Sequence, residues 1–211
     1  MLAYPVSKKP IDYSKPVFIQ PKLDGVRCLI QCNPSKMVIA YSRTGKVWKN
    51  IDHILNKLIP FFAEHPNVVL DGELYNHDFK DDFESIISMV RKTKPTSIDR
   101  LISRENVQFH CYDIIDKRRK FSTRDKWIKD NLLESYCIKH VETLQTDGEQ
   151  SHFIHKQNLR KGYEGSIVRL DTPYQCKRSH SLVKFKDFSD AEANIVGYDE
   201  GKGKRTGTLG K

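Results

Sequence analysis

The sequence predicts a mixed α+β fold, because two different apolar periodicities occur along the same chain. Short apolar or alternating segments indicate strands, and residues 26–32 and 37–41 form such a pair around Asn33-Pro34-Ser35-Lys36, which indicates a hairpin. Between residues 51 and 62, apolar side chains recur at i, i+3, i+4 and i+7, the spacing of an amphipathic helix that ends near Pro66. We therefore expect strands and helices to share one core.

The remaining elements follow from the same patterns. Further strands are expected at residues 17–20, 107–115, 138–144, 165–170 and 181–186. The apolar face of a second helix is expected to comprise Phe83, Ile86, Ile87 and Val90. A third helix is expected to begin at Ser122, which with Asp125 three residues later resembles a capping box. The polar segment 92–104, which Pro95 interrupts, is expected to be a mobile loop.

Composition narrows the class of protein. The 211 residues suffice for one sizeable core with a small appendage, and 36 basic against 27 acidic side chains give a net charge of +9. This excess suits a polyanionic partner, although a solvated basic surface has the same composition. No apolar run approaches the roughly 18 residues of a membrane span, and residues 1–15 lack the apolar core of a signal peptide. We therefore expect an intracellular protein with no membrane partner.

The most informative motif is Lys22-Leu23-Asp24-Gly25-Val26-Arg27, in which a lysine follows a predicted strand and precedes a turn glycine. A lysine forms a covalent bond only as the neutral amine. Because its reference pKa is about 10.4, keeping the amine neutral at pH 7 costs about 4–5 kcal/mol unless the surroundings lower that pKa. Alone, the motif is more typical of an exposed lysine at a strand end. The rest of the chain must provide the groups that would activate it.

Four further clusters follow in order along the chain. Ser42-Arg43-Thr44-Gly45 would place an arginine and a turn glycine beside the lysine, and the apolar segment 68–74 contains two acids, the second of them Glu73. Glu164 lies at the start of a predicted strand. Lys184 and Lys186 are two residues apart, so they share one face of a strand.

This ordered set closely resembles the covalent nucleotidyltransferases, and within them the ATP-dependent DNA ligases. The resemblance covers nearly the whole chain and implies an ATP-grasp-like nucleotidyltransferase domain of antiparallel sheets flanked by helices at residues 1–188. Segments 193–198 and 201–207 resemble the first strand and basic turn of the OB-fold domain that follows in DNA ligases, so residues 189–211 are expected to be its incomplete beginning. The family's last motif, Arg-x-Asp-Lys, has no counterpart here. This indicates a fragment that adenylates slowly and does not seal nicks alone.

The resemblance also implies roles for the charged residues. Lys22 would attack the α-phosphate of ATP, forming a covalent lysine–AMP and releasing pyrophosphate. Lys184 and Lys186 would lower the pKa of Lys22 through their positive charge and stabilise negative charge on the α-phosphate. The family's phosphate- and ribose-binding residues correspond to Arg27, Arg43 and Glu73.

The resemblance also implies which residues bind the purine and the metal ion. Tyr112 falls where the family stacks an aromatic ring on adenine, although a tyrosine in a buried strand is more often only part of the core. Gln20 falls where the family contacts the purine edge, a position that many ligases fill with glutamate. Glu73 and Glu164 are expected to face Mg²⁺, because transferring a phosphate needs a hard cation with oxygen ligands. ATP and Mg²⁺ are therefore the expected cofactors.

The expected partner is nicked double-stranded DNA, bound by a monomer. In the complete enzyme, AMP would pass to a 5′-phosphate at the nick, and the neighbouring 3′-hydroxyl would displace it. RNA ligases and GTP-dependent mRNA capping enzymes share the lysine motif and remain alternatives, although the Ser-Arg-Thr-Gly segment favours a DNA ligase. A fragment that binds nucleotide or DNA without turnover is a further alternative.

Overall fold

The computed structural model describes residues 1–8, 10–186 and 196–209, in which ten strands and five α-helices form a mixed α+β fold, as expected. The strands are β1 (Leu2–Pro5), β2 (Val17–Pro21), β3 (Val26–Cys32), β4 (Val38–Ser42), β5 (Val69–Tyr75), β6 (Gln108–Ile114), β7 (Ile138–His140), β8 (Leu144–Thr146), β9 (Ser166–Leu170) and β10 (Arg178–Phe185). The helices are α1 (Asp52–Glu64), α2 (Phe83–Val90), α3 (Ser97–Asn106), α4 (Phe121–Asn131) and α5 (Gly148–Arg160). No described helix is long and apolar enough to cross a bilayer.

The strands form two five-stranded sheets. Sheet A has the order β1-β10-β9-β2-β8, and sheet B has the order β4-β3-β5-β6-β7. Neighbouring strands are antiparallel, as expected, except in the parallel pairs β1/β10 and β6/β7. The second exception follows from connectivity, because α4 lies between β6 and β7 and acts as the crossover that a parallel pair requires.

Each sheet has one face in an apolar core and the other toward the opposite sheet. On sheet B the core face packs against α1 through Ile54, Leu58 and Phe62, which confirms the predicted amphipathic helix. On sheet A the core residues Val17 and Ile19 lie with Val168 beneath α5. Because side chains alternate along a strand, the residues that separate these core positions point toward the opposite sheet. Those faces enclose the cleft described below.

Two sequence expectations about helices are wrong. The segment expected to be a mobile loop contains α3, whose N-terminus is closed by a capping box between Thr96 and Asp99. This box satisfies two N–H groups at the start of the helix, those of Thr96 and Asp99, and so favours a helix in a polar segment. At α4 the expected capping box is absent, since Lys120 is the N-cap residue, and the Ser122 N–H instead donates to Asp171 Oδ1 at 2.8 Å.

Two expected strands also differ from the structure. The segment 138–144 divides into β7 of sheet B and β8 of sheet A, so the chain crosses between the sheets at residues 141–143. In the expected strand 193–198, residues 193–195 lie outside the described residues and residues 196–198 belong to no strand. Beyond them, Glu200 and Leu209 form an isolated antiparallel bridge around the basic segment.

A buried ion cluster joins the two sheets. Asp113 of β6 is fully buried, and the Arg124 guanidinium donates to its two carboxylate oxygens at 2.7 and 3.1 Å. From sheet A, Arg169 Nη1 donates to Asp113 Oδ2 at 2.8 Å. A buried carboxylate with two guanidinium partners is stable only as a complete set, because losing one member leaves an uncompensated buried charge.

We expect Asp113→Asn to lower the free energy of unfolding by about 3–5 kcal/mol, because both arginines would lose their buried counter-ion. The control is Asp130→Asn, which breaks an exposed pair with Lys126 on α4 and should cost at most about 1 kcal/mol. Urea unfolding of both variants measures the difference. Equal, small losses would contradict a structural role for the buried cluster.

Candidate active site

Lys22 lies at the point where β2 leaves sheet A. Its N–H donates to the Gly165 carbonyl at 2.9 Å, and the Glu164 N–H donates to the Lys22 carbonyl at 3.2 Å. These two bonds extend the β2–β9 ladder by one residue and fix Lys22 beside Glu164. The arrangement requires glycine at 165, where φ is +146° and an added Cβ would lie 2.2 Å from the Phe185 carbonyl oxygen.

Glu164 joins two lysines. Lys22 Nζ donates to Glu164 Oε2, and Lys186 Nζ donates to Glu164 Oε1 at 2.6 Å. Burial lowers the pKa of Lys22, and the charges of Lys184 and Lys186 lower it further, against the opposing effect of Glu73 and Asp24. The surroundings therefore shift the equilibrium toward the neutral amine, which is the reactive form.

Glu73 is on β5, opposite Arg27 on β3. Burial raises the pKa of Glu73 to about 8, and the charge of Asp71 adds to this rise, while Lys22 and Arg27 oppose it. At neutral pH this side chain is therefore largely protonated and is able to donate a hydrogen bond.

Arg27 is held by residues other than the expected phosphate. Its guanidinium forms two bonds of 2.9 Å to the Asp71 carboxylate, and its Nη2 also donates to the Tyr174 hydroxyl at 2.9 Å. That hydroxyl in turn donates to Asp71 Oδ2 at 2.7 Å. Tyr174 belongs to the β9–β10 connection, so the cluster ties sheet A to sheet B. Sequence reasoning missed Tyr174, since no local pattern distinguishes it.

Tyr112 occupies an irregularity in β6. Asp71 pairs with Asp113 and Gly72 pairs with Cys111, so Tyr112 is an extra residue in a β-bulge. The bulge allows Tyr112 and Asp113 both to face sheet A, while Cys111 and Ile114 remain in the apolar core. Tyr112 is half-buried and lines the cleft between the sheets.

The cleft has a volume of about 150 Å³. Sheet A contributes Gln20, Ile167, Arg169 and Leu182 to its lining, and sheet B contributes Asp71, Glu73 and Tyr112. Gln20 pairs with Ile167 on β9, which pairs with Lys184 on β10, so these residues form one row across the sheet. The structure therefore brings Lys22, Gln20, Glu73 and Tyr112 to one cleft, with Glu164 and Lys186 at Lys22.

Gln20 is buried, and both ends of its amide form hydrogen bonds. Its Oε1 accepts from Arg169 Nε at 2.6 Å, and its Nε2 donates to Thr143 Oγ1 at 2.8 Å. Arg169 also places its guanidinium carbon 5.3 Å from the centre of the Tyr112 ring. One arginine therefore fixes both residues that were assigned to the purine, a role that sequence reasoning did not give it.

Arg43 is separated from this group. It lies in the exposed turn after β4, where Gly45 has φ +80° and the Lys46 N–H donates to Ser42 Oγ at 3.0 Å. Arg43 lines a second, open cleft together with Arg27 and Glu73. It therefore adjoins the Lys22 cleft without being part of its lining.

The carboxylates fit a hard divalent cation only in part. Among the described residues, no group of three or more His, Cys, Asp or Glu side chains is arranged to hold a metal ion. Glu164 accepts a hydrogen bond from Lys22, and Glu73 lines the same cleft as Lys22, so two carboxyl groups lie near this lysine. Mg²⁺ usually takes one or two carboxylates and completes its shell with phosphate and water, so this donor set suits an ion that arrives with a nucleotide.

We expect Glu73→Gln to change the pH dependence of stability. Glu73 holds its proton more tightly in the folded state, so wild-type stability falls as pH rises from about 4.5 through about 8, where the buried carboxylate must ionise. The glutamine of the variant cannot ionise, so the melting temperature of the variant minus that of wild type should grow from pH 5 to pH 8. The exposed control Glu84→Gln should give a flat difference. A flat difference for Glu73→Gln would contradict the raised pKa.

Comparison with known proteins finds chains of similar sequence and fold. The chain is 27% identical over 215 residues to a DNA ligase of African swine fever virus, covering 94% of this chain and 48% of that protein. A solved structure called Pmar-Lig_PreS3 matches with a TM-score of 0.77 and 26% identity, covering 99% of this chain and 51% of that one. A Lig E DNA ligase structure shares the fold, with a TM-score of 0.75 and 22% identity over all of this chain and 77% of that one.

The chain thus spans about half the length of the viral relative. The family profile "ATP dependent DNA ligase domain" matches residues 1–186, which include Lys22 and both sheets. The strand-end lysine, the glutamate beside it and the two late lysines all fall within that match. This chain belongs to the ATP-dependent DNA ligase domain family.

Proposed function

We propose that the chain is the adenylation part of a DNA ligase and that Lys22 is its nucleophile. Lys22 Nζ attacks the α-phosphorus of ATP, a P–N bond forms, and the bond from that phosphorus to the bridging oxygen breaks, so pyrophosphate leaves. The observation that supports this most directly is the position of the Lys22 amine, partly desolvated and hydrogen-bonded to Glu164 at the edge of the cleft. Desolvation and neighbouring cations are the two ways to make a lysine nucleophilic.

Glu164 accepts the hydrogen bond from Lys22, so it is the first acceptor for the proton that the amine must lose. Lys186 shares the same carboxylate and, with Lys184, supplies positive charge where the α-phosphate becomes more negative. We propose that the two late lysines bind the phosphates, while Glu164 holds the nucleophile in place before the reaction.

The nucleoside is proposed to lie between the two sheets. Tyr112 stacks on adenine, and Gln20, oriented by Arg169, faces the purine edge. Glu73 contacts ribose hydroxyls, and Arg27 supports this wall through Asp71. Mg²⁺ would be held by Glu164 and by Glu73, which would give up its proton to the incoming cation, together with the phosphates, and would neutralise phosphate charge.

The later steps are proposed for the complete protein, because the chain covers 48% of the viral DNA ligase. AMP passes from Lys22 to the 5′-phosphate of nicked double-stranded DNA, restoring the lysine. The 3′-hydroxyl then attacks the activated 5′-phosphate, a phosphodiester forms, and AMP leaves. Arg43, exposed beside the Lys22 cleft, is proposed to bind phosphate of the nucleotide. Residues 1–188 are proposed as the nucleotidyltransferase domain and 189–211 as the beginning of an OB-fold domain.

We expect Lys22→Ala and Lys22→Arg to abolish the AMP adduct, because the first lacks the amine and a guanidinium does not deprotonate near neutral pH. Intact mass after incubation with ATP and Mg²⁺ measures the adduct. The exposed lysine variant Lys15→Ala serves as the control and should form it normally. An undiminished adduct on Lys22→Ala would exclude this lysine, and an adduct formed only from GTP would favour a capping enzyme.

We expect Tyr112→Ala to weaken ATP use by about 1–3 kcal/mol, the range for base–aromatic stacking, and Tyr112→Phe to be nearly silent. If Tyr112 served only the core, Tyr112→Ala would instead cost about 3–5 kcal/mol of stability. An ATP titration and thermal melting of the nucleotide-free variants separate the two. A large melting shift with unchanged ATP affinity would remove Tyr112 from the site.

A further inference from the structure

A second cleft adjoins the Lys22 site. It lies between the turn at residues 42–46 and the corner between α2 and α3, and its volume is about 690 Å³. We call it the basic cleft, after four cations of its lining, Arg43, Lys46, Arg91 and Lys92; a fifth, Arg27, is paired with Asp71. Glu73 lines both clefts, so the basic cleft is continuous with the site of the nucleophile.

The cations of the basic cleft are largely free of carboxylates. Within the part of the chain that the structure describes, Arg43, Lys46 and Arg91 are exposed and form no ion pair. Lys92 Nζ lies 3.4 Å from Asp99 Oδ1. The two acids that flank the corner, Asp82 and Asp99, accept hydrogen bonds at the N-termini of α2 and α3. The corner therefore retains its positive charge.

Neutral donors line the same cleft. Ser42, Thr44 and Thr93 provide hydroxyl groups. Trp48 also lines it, and its indole Nε1–H is buried without an acceptor among the described residues. An indole can only donate, so this group requires an acceptor. A surface with many donors and four cations is suited to anionic oxygens, and phosphodiesters present these at every nucleotide.

We infer that the basic cleft binds the sugar-phosphate backbone of the DNA strand that adjoins the nick, with Arg91 and Lys92 extending the contact beyond Arg43. This inference rests on the proposed function, since it places the DNA beside Lys22. Arg91 is the C-cap residue of α2 and Lys92 follows it, so the two come from a corner between rigid helices. The residues that line this side of the cleft, Arg91, Lys92 and Thr93, lie between α2 and α3.

The test uses a nicked duplex with a 5′-phosphate and measures its affinity at several salt concentrations. Each phosphate contact contributes about 0.9 to the slope of log K against log salt, so the double variant Arg91→Gln, Lys92→Gln should reduce the slope by about two. The control Lys126→Gln, Lys129→Gln removes two charges from α4 and should leave the slope nearly unchanged. Equal reductions in both would overturn the inference.

Two further measurements keep the result interpretable. Arg91→Lys preserves the positive charge and should therefore retain the wild-type salt slope. A reduced slope in this variant would show that charge at this position does not set the slope, which would overturn a direct phosphate contact. Equal binding of single-stranded DNA or nicked RNA would overturn the assignment to duplex DNA. The proposed function is tested separately, by the AMP adduct that wild type forms with ATP in the absence of DNA. If no adduct forms, the proposed function fails, while the salt slopes still decide whether the basic cleft binds DNA.

Discussion

The buried Asp113 carboxylate is the contact on which the rest of the site depends. It receives Arg124 from α4 and Arg169 from β9, and therefore joins a helix and both sheets at one point. Arg169 then extends from this anchor to Gln20 and Tyr112. A buried ion cluster of this kind need not add net stability, but each of its charges must keep a partner. Because the partners come from both sheets, this requirement fixes the distance between the sheets and the shape of the cleft.

Glu164 holds two lysines close together in the absence of phosphate. Its two oxygens separately accept from Lys22 and Lys186, so the carboxylate offsets the repulsion between the lysines. In the proposed function, the phosphates of a nucleotide would give the lysines a more strongly anionic partner than Glu164. The site would then be organised before the substrate binds.

Three positions could be predicted from local motifs with a definite spacing: Lys22 at a strand end, Glu164 at the start of a later strand, and the two late lysines on one face of another. The contact of Glu164 with Lys22 was not predicted. The bonds of Arg27 to Asp71 and Tyr174 could not be predicted, since they join segments about 44 and 147 residues apart. The helix α3 was missed for a local reason: Thr96 and Asp99 have capping-box spacing, but the polar composition and Pro95 were given more weight. The fold class was confirmed because both periodicities are strong.

The bulge at Tyr112 makes the length of β6 as important as its composition. Side chains alternate with a period of two, so the extra residue reverses the phase of everything that follows it. Regular alternation of the same residues, without the bulge, would turn Ile114 toward the cleft and Asp113 toward the apolar core. Homologous chains should therefore vary more in the loops on either side of β6 than at the bulge itself.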